Sequence, residues 1–499
     1  MRLRDKTING AKWNTAATAN NALVQMLKLF ILARFLSKAD FGLVAIATMV
    51  IGFTDIFANM GFSVGIIHKK EISKEEYSSV FWVNLAVSLI LFGIICAITP
   101  LLSIYYGQSE LNKIIPLLGL QLVITAFGKI FQTLRTKELN FKFISIVNMA
   151  GVYAGALFTI ITAMMGWGVY SMVFGMLLQT TVIFATYAIA GIRNNGILFH
   201  CNLREISGLI KIGGYQMGAQ VLDYCSSKAD IFLIGRFFGM EALGVYNLGK
   251  DLLMKVMMIN PIITSVATPA FAKIQDNIPL MRSTYAKILN FLSSINFPIF
   301  AVFFIFAEPL TFFLYGEKMM EVAFFIRLFA VWGLFHSVGN PAGILMVSLG
   351  RTDLSFRWTV FRVICVVSTT LALCYTTIEV LTFAQVALEI AFFFAYWRMM
   401  IYKMVQTPLR EYPDAGPDHR RRRVGVPADG SAGQARGTGA ENSGNALRPA
   451  RRAGADAGRG QSADRPNPGT GAADPESGVG QAQTAAGRRG RIHLRFLNR

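Results

Sequence analysis

The chain has 499 residues, of which 53% are hydrophobic and only 15% charged, with a mean hydropathy of +0.46. A chain of this length cannot present so much apolar surface to water, so its composition excludes a soluble globular protein and assigns it to a bilayer. The formal charge of +19 is spread between apolar stretches rather than gathered in one patch. That distribution reads as membrane topology and argues against nucleic-acid binding.

About twelve apolar stretches follow, each long enough as a helix of about 20 residues to cross roughly 30 Å of hydrocarbon. They centre on Val24, Met49, Ser88, Leu122, Val152, Leu177, Leu222, Leu253, Asn296, Trp332, Val367 and Glu389. The first, fourth, seventh and eighth are the least hydrophobic. The first stretch is long, interrupted by polar residues and without a small-residue cleavage site, so it reads as a retained span rather than a signal peptide. Lys12, Lys74, Lys137, Arg193, Arg204, Arg282 and Arg357 lie in alternate connections. The other side offers little more than Lys38, Lys113, Arg236 and Lys318. Because basic loops stay in the cytoplasm, this asymmetry predicts a multi-pass membrane protein with both termini cytoplasmic.

The chain also repeats itself. Ile31–Ala47 reappears in outline as Leu233–Gly249, aligning Arg34 with Arg236, Phe35 with Phe237 and Gly42 with Gly244. Pro100-Leu101 and Tyr106-Gly107 likewise recur as Pro309-Leu310 and Tyr315-Gly316. The fold expected is all-α and integral to the membrane: two homologous six-helix lobes, residues 1–206 and 207–411, around a central cavity. Repeats of like orientation place a pseudo-two-fold axis along the membrane normal, the arrangement of an alternating-access transporter.

Polar residues inside the spans mark the candidate site. Asn14, Thr18, Asn21, Gln25 and Lys28 are spaced to share one helix face, and their repeat partners are Gln216, Gln220, Asp223, Ser227 and Asp230. The second span adds Thr48, Asp55 and Asn59, and the eighth adds Asn247, Lys250, Asp251 and Lys255. If Lys28, Asp223, Lys228, Asp230, Lys250, Asp251 and Lys255 faced lipid, they would together cost on the order of 20 kcal/mol. They therefore face protein or water. One reading makes them buried ion pairs, such as Lys228 with Asp251. The other is a hydrated cationic cavity whose lysines grip phosphate oxygens while Asn, Gln and Ser pair with sugar hydroxyls. A lipid-linked sugar fits that chemistry, its head in the cavity and its tail in the bilayer. Asp223, Asp230, Asp251 and Glu389 are the candidates for proton or sodium coupling.

Cys96, Cys201, Cys225, Cys365 and Cys374 are scattered without metal-ligand spacing and read as packing residues. No metal or cofactor is expected. After Tyr412 the composition shifts to Gly, Ala, Arg, Pro, Asp, Ser and Gln, which cannot bury a core; residues 412–499 are expected to be disordered. His419–Arg423 in that tail reads as a patch for anionic lipid or RNA. The abrupt switch to residues of GC-rich codons favours translation of a shifted or foreign frame.

Several short segments carry a family resemblance. Phe41-Gly42-Leu43-Val44-Ala45-Ile46-Ala47, Gly61-Phe62, Phe81-Trp82, Gly166-Trp167-Gly168, Tyr170-Ser171, Ile234-Gly235-Arg236, Leu243-Gly244-Val245-Tyr246 and Pro269-Ala270-Phe271 resemble the polysaccharide flippases of the multidrug/oligosaccharidyl-lipid/polysaccharide transporter superfamily. The resemblance covers about residues 1–410. It implies translocation of polyprenyl-pyrophosphate-linked oligosaccharide units, precursors of lipopolysaccharide or exopolysaccharide, with membrane lipids, a polysaccharide polymerase and export proteins as partners. Many members have fourteen spans, two more than expected here. Of the motif residues, Gly42 and Gly244 read as closing short connections between helices, and Phe81-Trp82 as part of an interfacial aromatic belt.

Two other readings compete. A cation-coupled multidrug exporter of the same superfamily would favour an acidic pocket for cationic substrates. A membrane glycosyltransferase or polymerase would need acidic or Arg groups on a large external loop, and the expected loops are short. The topology is directly testable: alkaline phosphatase fused after Arg204 should be inactive, because that loop is cytoplasmic. Activity there would overturn both the orientation and the parallel arrangement of the repeats.

Overall fold

Helix boundaries follow local chemistry. The computed structural model describes residues 3–401 except 70, 259–270, 272, 273, 275, 276, 340–342, 344 and 347–351. Helix α1 (Leu3–Phe35) gives way to α2 (Lys38–Asn59) at Ser37. There the Asp40 amide donates to Ser37 Oγ at 3.2 Å and the Ser37 amide donates to Asp40 Oδ2 at 2.9 Å, which satisfies donors that hydrocarbon cannot. A short α3 (Phe62–His68) follows. Ser73 and Glu76 repeat the capping box at the start of α4 (Lys74–Tyr106), and Gly107, at φ +65°, ends that helix in the left-handed region.

The remaining helices are α5 (Leu111–Lys137), α6 (Phe141–Met164), α7 (Val169–Asn195), α8 (Ser207–Phe237), α9 (Gly239–Val256), α10 (Ile278–Ile305), α11 (Ala307–Tyr315), α12 (Val322–Gly339), α13 (Thr352–Leu373) and α14 (Ile378–Tyr396). No strand occurs among the described residues. Ten of the described helices are long and apolar enough to cross a membrane, and the chain is a multi-pass membrane protein. Where the seventh and eighth spans are expected stand helices α8 and α9, 31 and 18 residues long, which fall outside that set. These two carry Asp223, Lys228, Asp230, Lys250, Asp251 and Lys255. The tail expected to be disordered lies outside the described residues, as do Pro269, Ala270 and the side chain of Gln216.

Small residues bring the helices together, as helix contacts in a membrane require. A Cβ on Gly128 of α5 would stand 2.4 Å from the Phe184 carbonyl of α7, and one on Gly155 of α6 would stand 2.7 Å from the Gly175 carbonyl of α7. Gly42 and Gly244 do the same, which corrects the expectation that they close turns. Both sit inside helices, α2 and α9, where the missing side chain admits the neighbouring backbone. The aromatic pair Phe81-Trp82 also makes contacts within the protein. Phe81 is buried; Trp82 donates from Nε1 to the Leu198 carbonyl at 2.9 Å and stacks on Phe199. With Tyr77 donating to the Asn195 carbonyl, and Ser78 and Ser79 accepting from the Leu198 and Asn202 amides, α4 straps down the connection between α7 and α8.

In the second half, buried charge is neutralised locally. Asp230, 5% exposed, pairs with Lys250 and accepts from the Tyr246 hydroxyl at 2.5 Å. Tyr246 also lies 2.8 Å from Gln385 Oε1, so the network ties α8, α9 and α14. The pair formed is Lys250 with Asp230, not the expected Lys228 with Asp251. Removing one partner leaves an uncompensated buried charge, a loss of about 3–5 kcal/mol. Asp230→Ala should therefore lower the melting temperature and the membrane level of the protein, while Asp230→Leu combined with Lys250→Met should restore most of both. Wild-type melting of Asp230→Ala would show that the pair carries no such load.

Candidate functional site

A polar space among the described residues is built mainly on the first half of the chain. Thr18, Asn21, Gln25 and Lys28 share one face of α1. They line a cavity of about 490 Å³ together with Gln121 of α5, Val152 of α6, Met176, Gln179 and Thr180 of α7, and Lys255 and Met258 at the end of α9. Gln25 Nε2 donates to Gln179 Oε1 at 3.2 Å, which fixes the two amides relative to each other. Asn21 Oδ1 is buried without a hydrogen-bond partner, an acceptor that a water or a ligand hydroxyl would satisfy.

The charge of this space is one-sided. Among the described residues, Lys28, 9% exposed, and Lys255 are its ionisable lining residues, and no carboxylate lines it. Around them stand amides and hydroxyls, with Ala22, Val152, Met176 and Met258 as apolar wall. Such a lining can hold an anionic group by charge-assisted bonds and hydroxyl-rich groups by paired donors and acceptors.

Of the residues singled out in the sequence, Thr18, Asn21, Gln25, Lys28 and Lys255 are brought together here. The others are placed elsewhere. Asn14, Gln220, Asp223 and Ser227 are exposed, and Lys228 is half-buried on α8. Asp230 and Lys250 neutralise each other in the network of the second half. Asp251 Oδ2 accepts from Asn247 at 3.2 Å, Thr48 donates to the Val44 carbonyl, and Asp55 accepts from Asn59 at 2.7 Å. Gln121, Gln179 and Thr180 were missed. Their signal was available, since each glutamine interrupts an apolar stretch, but neither belongs to a stripe with helical spacing.

Glu389 forms a second ionic centre, away from these lining residues. Its Oε1 lies 2.8 Å from His336 Nδ1 and its Oε2 accepts from Arg362 at 3.0 Å, joining α14, α12 and α13. The His336 ring stacks on Trp332 with centroids 4.3 Å apart. Among the described residues, no three His, Cys, Asp or Glu side chains gather as a metal site, and the five cysteines are free.

Comparison with known proteins places this arrangement. The lipopolysaccharide biosynthesis protein WzxC of Escherichia coli (strain K12) is 29% identical over 363 residues, covering 72% of this chain and 74% of that one. Among solved structures, the lipid II flippase MurJ in an inward closed conformation superposes with a TM-score of 0.67 at 12% identity, over 80% of this chain and 88% of its own. An inward-facing multidrug resistance MATE family transporter of the MOP superfamily gives 0.55 at 16% identity, over 80% and 99%. At these identities the two structures speak for the fold alone. The family model described as "Polysaccharide biosynthesis protein" matches residues 31–324, more than half of the chain, and the protein belongs to that family.

Proposed function

We propose that the protein moves a lipid-linked oligosaccharide of the polyprenyl pyrophosphate type across the bacterial inner membrane, by alternating access between lobes formed by residues 1–206 and 207–411. The observation that carries this reading is the cavity in which Lys28 and Lys255 stand among Asn21, Gln25, Gln121 and Gln179, with no carboxylate among its described lining residues. A pyrophosphate meets the two ammonium groups, and sugar hydroxyls meet the amides. The acyl or prenyl tail stays in the bilayer, so only the head needs shelter. The cationic substrates of a multidrug exporter would meet two like charges there instead. The naming of WzxC for lipopolysaccharide biosynthesis supports the same substrate class, and the basic connections support cytoplasmic termini.

For coupling, Glu389 is the carboxylate best suited. Asp223 is exposed and Asp230 is held by Lys250. Glu389 instead faces both Arg362 and His336. Protonation there would alter the charge of a centre joining three helices.

Lys28→Ala and Lys255→Ala should each remove one charge-assisted contact, about 1.5–3 kcal/mol or roughly ten- to hundred-fold in substrate affinity, with Arg at either position retaining most of the function. Complementation of a flippase-deficient strain, scored beside membrane protein level, measures this. Full complementation by the double Ala variant at normal level would sink the cationic-cavity reading. Glu389→Gln should remove the dependence of transport on a pH gradient, with transport scored per molecule of membrane protein; a gradient dependence like that of the wild type would assign coupling to another group.

A further inference from the structure

The residues that betray the duplication do not line the cavity, and no step above uses them. They meet one another. Phe30, Arg34, Lys38 and Gly42 correspond by repeat to Phe232, Arg236, Met240 and Gly244, and the segment 100–107 corresponds to 309–316. Across the line where the two halves of the chain touch, each repeat makes on the other the contacts it receives. A Cβ on Gly42 would stand 2.1 Å from the Met240 carbonyl, and a Cβ on Gly244 would stand 1.9 Å from the Lys38 carbonyl. Arg34 Nη2 donates to the Phe313 carbonyl of α11 at 3.2 Å. Arg236 lies over the Tyr105 ring at the end of α4, 5.3 Å from its centroid.

The aromatic residues obey the same rule. Phe30 meets Tyr315 edge-on at 5.7 Å and Phe232 meets Tyr106 edge-on at 6.0 Å, the latter reinforced by the Tyr106 hydroxyl donating to the Phe232 carbonyl at 3.2 Å. Lys38 and Glu321 add an ion pair at 2.7 Å. This is an isologous surface formed within one chain, residue i on j and j on i.

We propose that this surface is the extracytoplasmic gate of the transporter, latched by Arg34 and Arg236; the assignment rests on the transport reading above and deepens it. At the helical rise, Arg34 stands about 9 Å beyond Lys28 along α1. The contacts thus close the cavity at the end where Lys38 and Lys318 lie, the sparsely basic side. The residues from Lys12 to Ala16, at the other end of the same helix, are exposed. What crosses the gate suits repeated opening. The arginines are exposed, and their partners are a carbonyl and a ring rather than buried carboxylates. The helices touch through glycines that separate and meet again without rearranging side chains.

The first arm of the test needs no substrate. In a variant whose five cysteines are serine, Ala22→Cys places a thiol in the cavity, and intact cells are treated with a membrane-impermeant maleimide. Labelling should be slight, and should rise several-fold when Arg34→Ala and Arg236→Ala are added at unchanged protein level. In the same serine background, bridging Lys38→Cys and Glu321→Cys with a short bifunctional thiosulfonate should abolish export until a reductant is added. Unchanged labelling of the double arginine variant, or full export by the bridged protein, would overturn the gate. Increased labelling of the double arginine variant, together with failure of the protein carrying both arginines to complement a flippase-deficient strain, would support the gate and remove the substrate reading instead.

Discussion

Hydrocarbon offers no partner to a backbone amide or a charge, and the rest of this structure depends on that constraint. It forces the described chain into helices, whose backbone bonds close within each segment. It also forces every ionisable side chain within the membrane to find an opposite charge or water. The chain answers in three places. Lys28 and Lys255 share a polar cavity, Asp230 and Lys250 cancel each other, and Glu389 sits between His336 and Arg362. Elsewhere the long helices turn residues such as Ile90, Leu101 and Ile104 outward, as lipid permits and water would not.

The duplicated halves have kept some features and lost others, and physical chemistry separates the two sets. Where backbones cross, at Gly42 and Gly244, the fit tolerates no added atom, so both copies retain glycine. The polar stripes were under a looser demand. Each had only to be satisfied, and the repeat partners Lys28 and Asp230 meet that demand differently: one lines the cavity and the other is locked in an ion pair. A repeat can therefore remain symmetric in its contacts while its polar chemistry diverges.

That divergence bears on specificity. A fold shared by a lipid II flippase and a MATE transporter says how a cavity can be built between helices and leaves open what enters it. The discriminating quantity is the charge of the lining. With two ammonium groups, several amides and no carboxylate among its described lining residues, this cavity has the charge that the proposed anionic, hydroxyl-bearing substrate would require. Asp230 of the second half does not offset that charge, because Lys250 already neutralises it.

Composition and the spacing of apolar residues were enough to establish an all-helical membrane protein, since the length of a span and the exclusion of charge are local requirements. The polar face of α1 was equally legible: Thr18, Asn21, Gln25 and Lys28 follow helical periodicity, and all four line the cavity. The internal repeat could be read because two copies of one pattern stand in one chain. Periodicity along one helix could not say which neighbour that helix would face. For that reason Gln121 and Gln179 went unnoticed, Lys250 was counted with the cavity although it pairs with Asp230, and Gly42 and Gly244 were taken for turns. Tertiary packing decided these matters, because a buried charge, an amide or a glycine acquires its role from the atoms opposite it, and those atoms belong to distant parts of the chain.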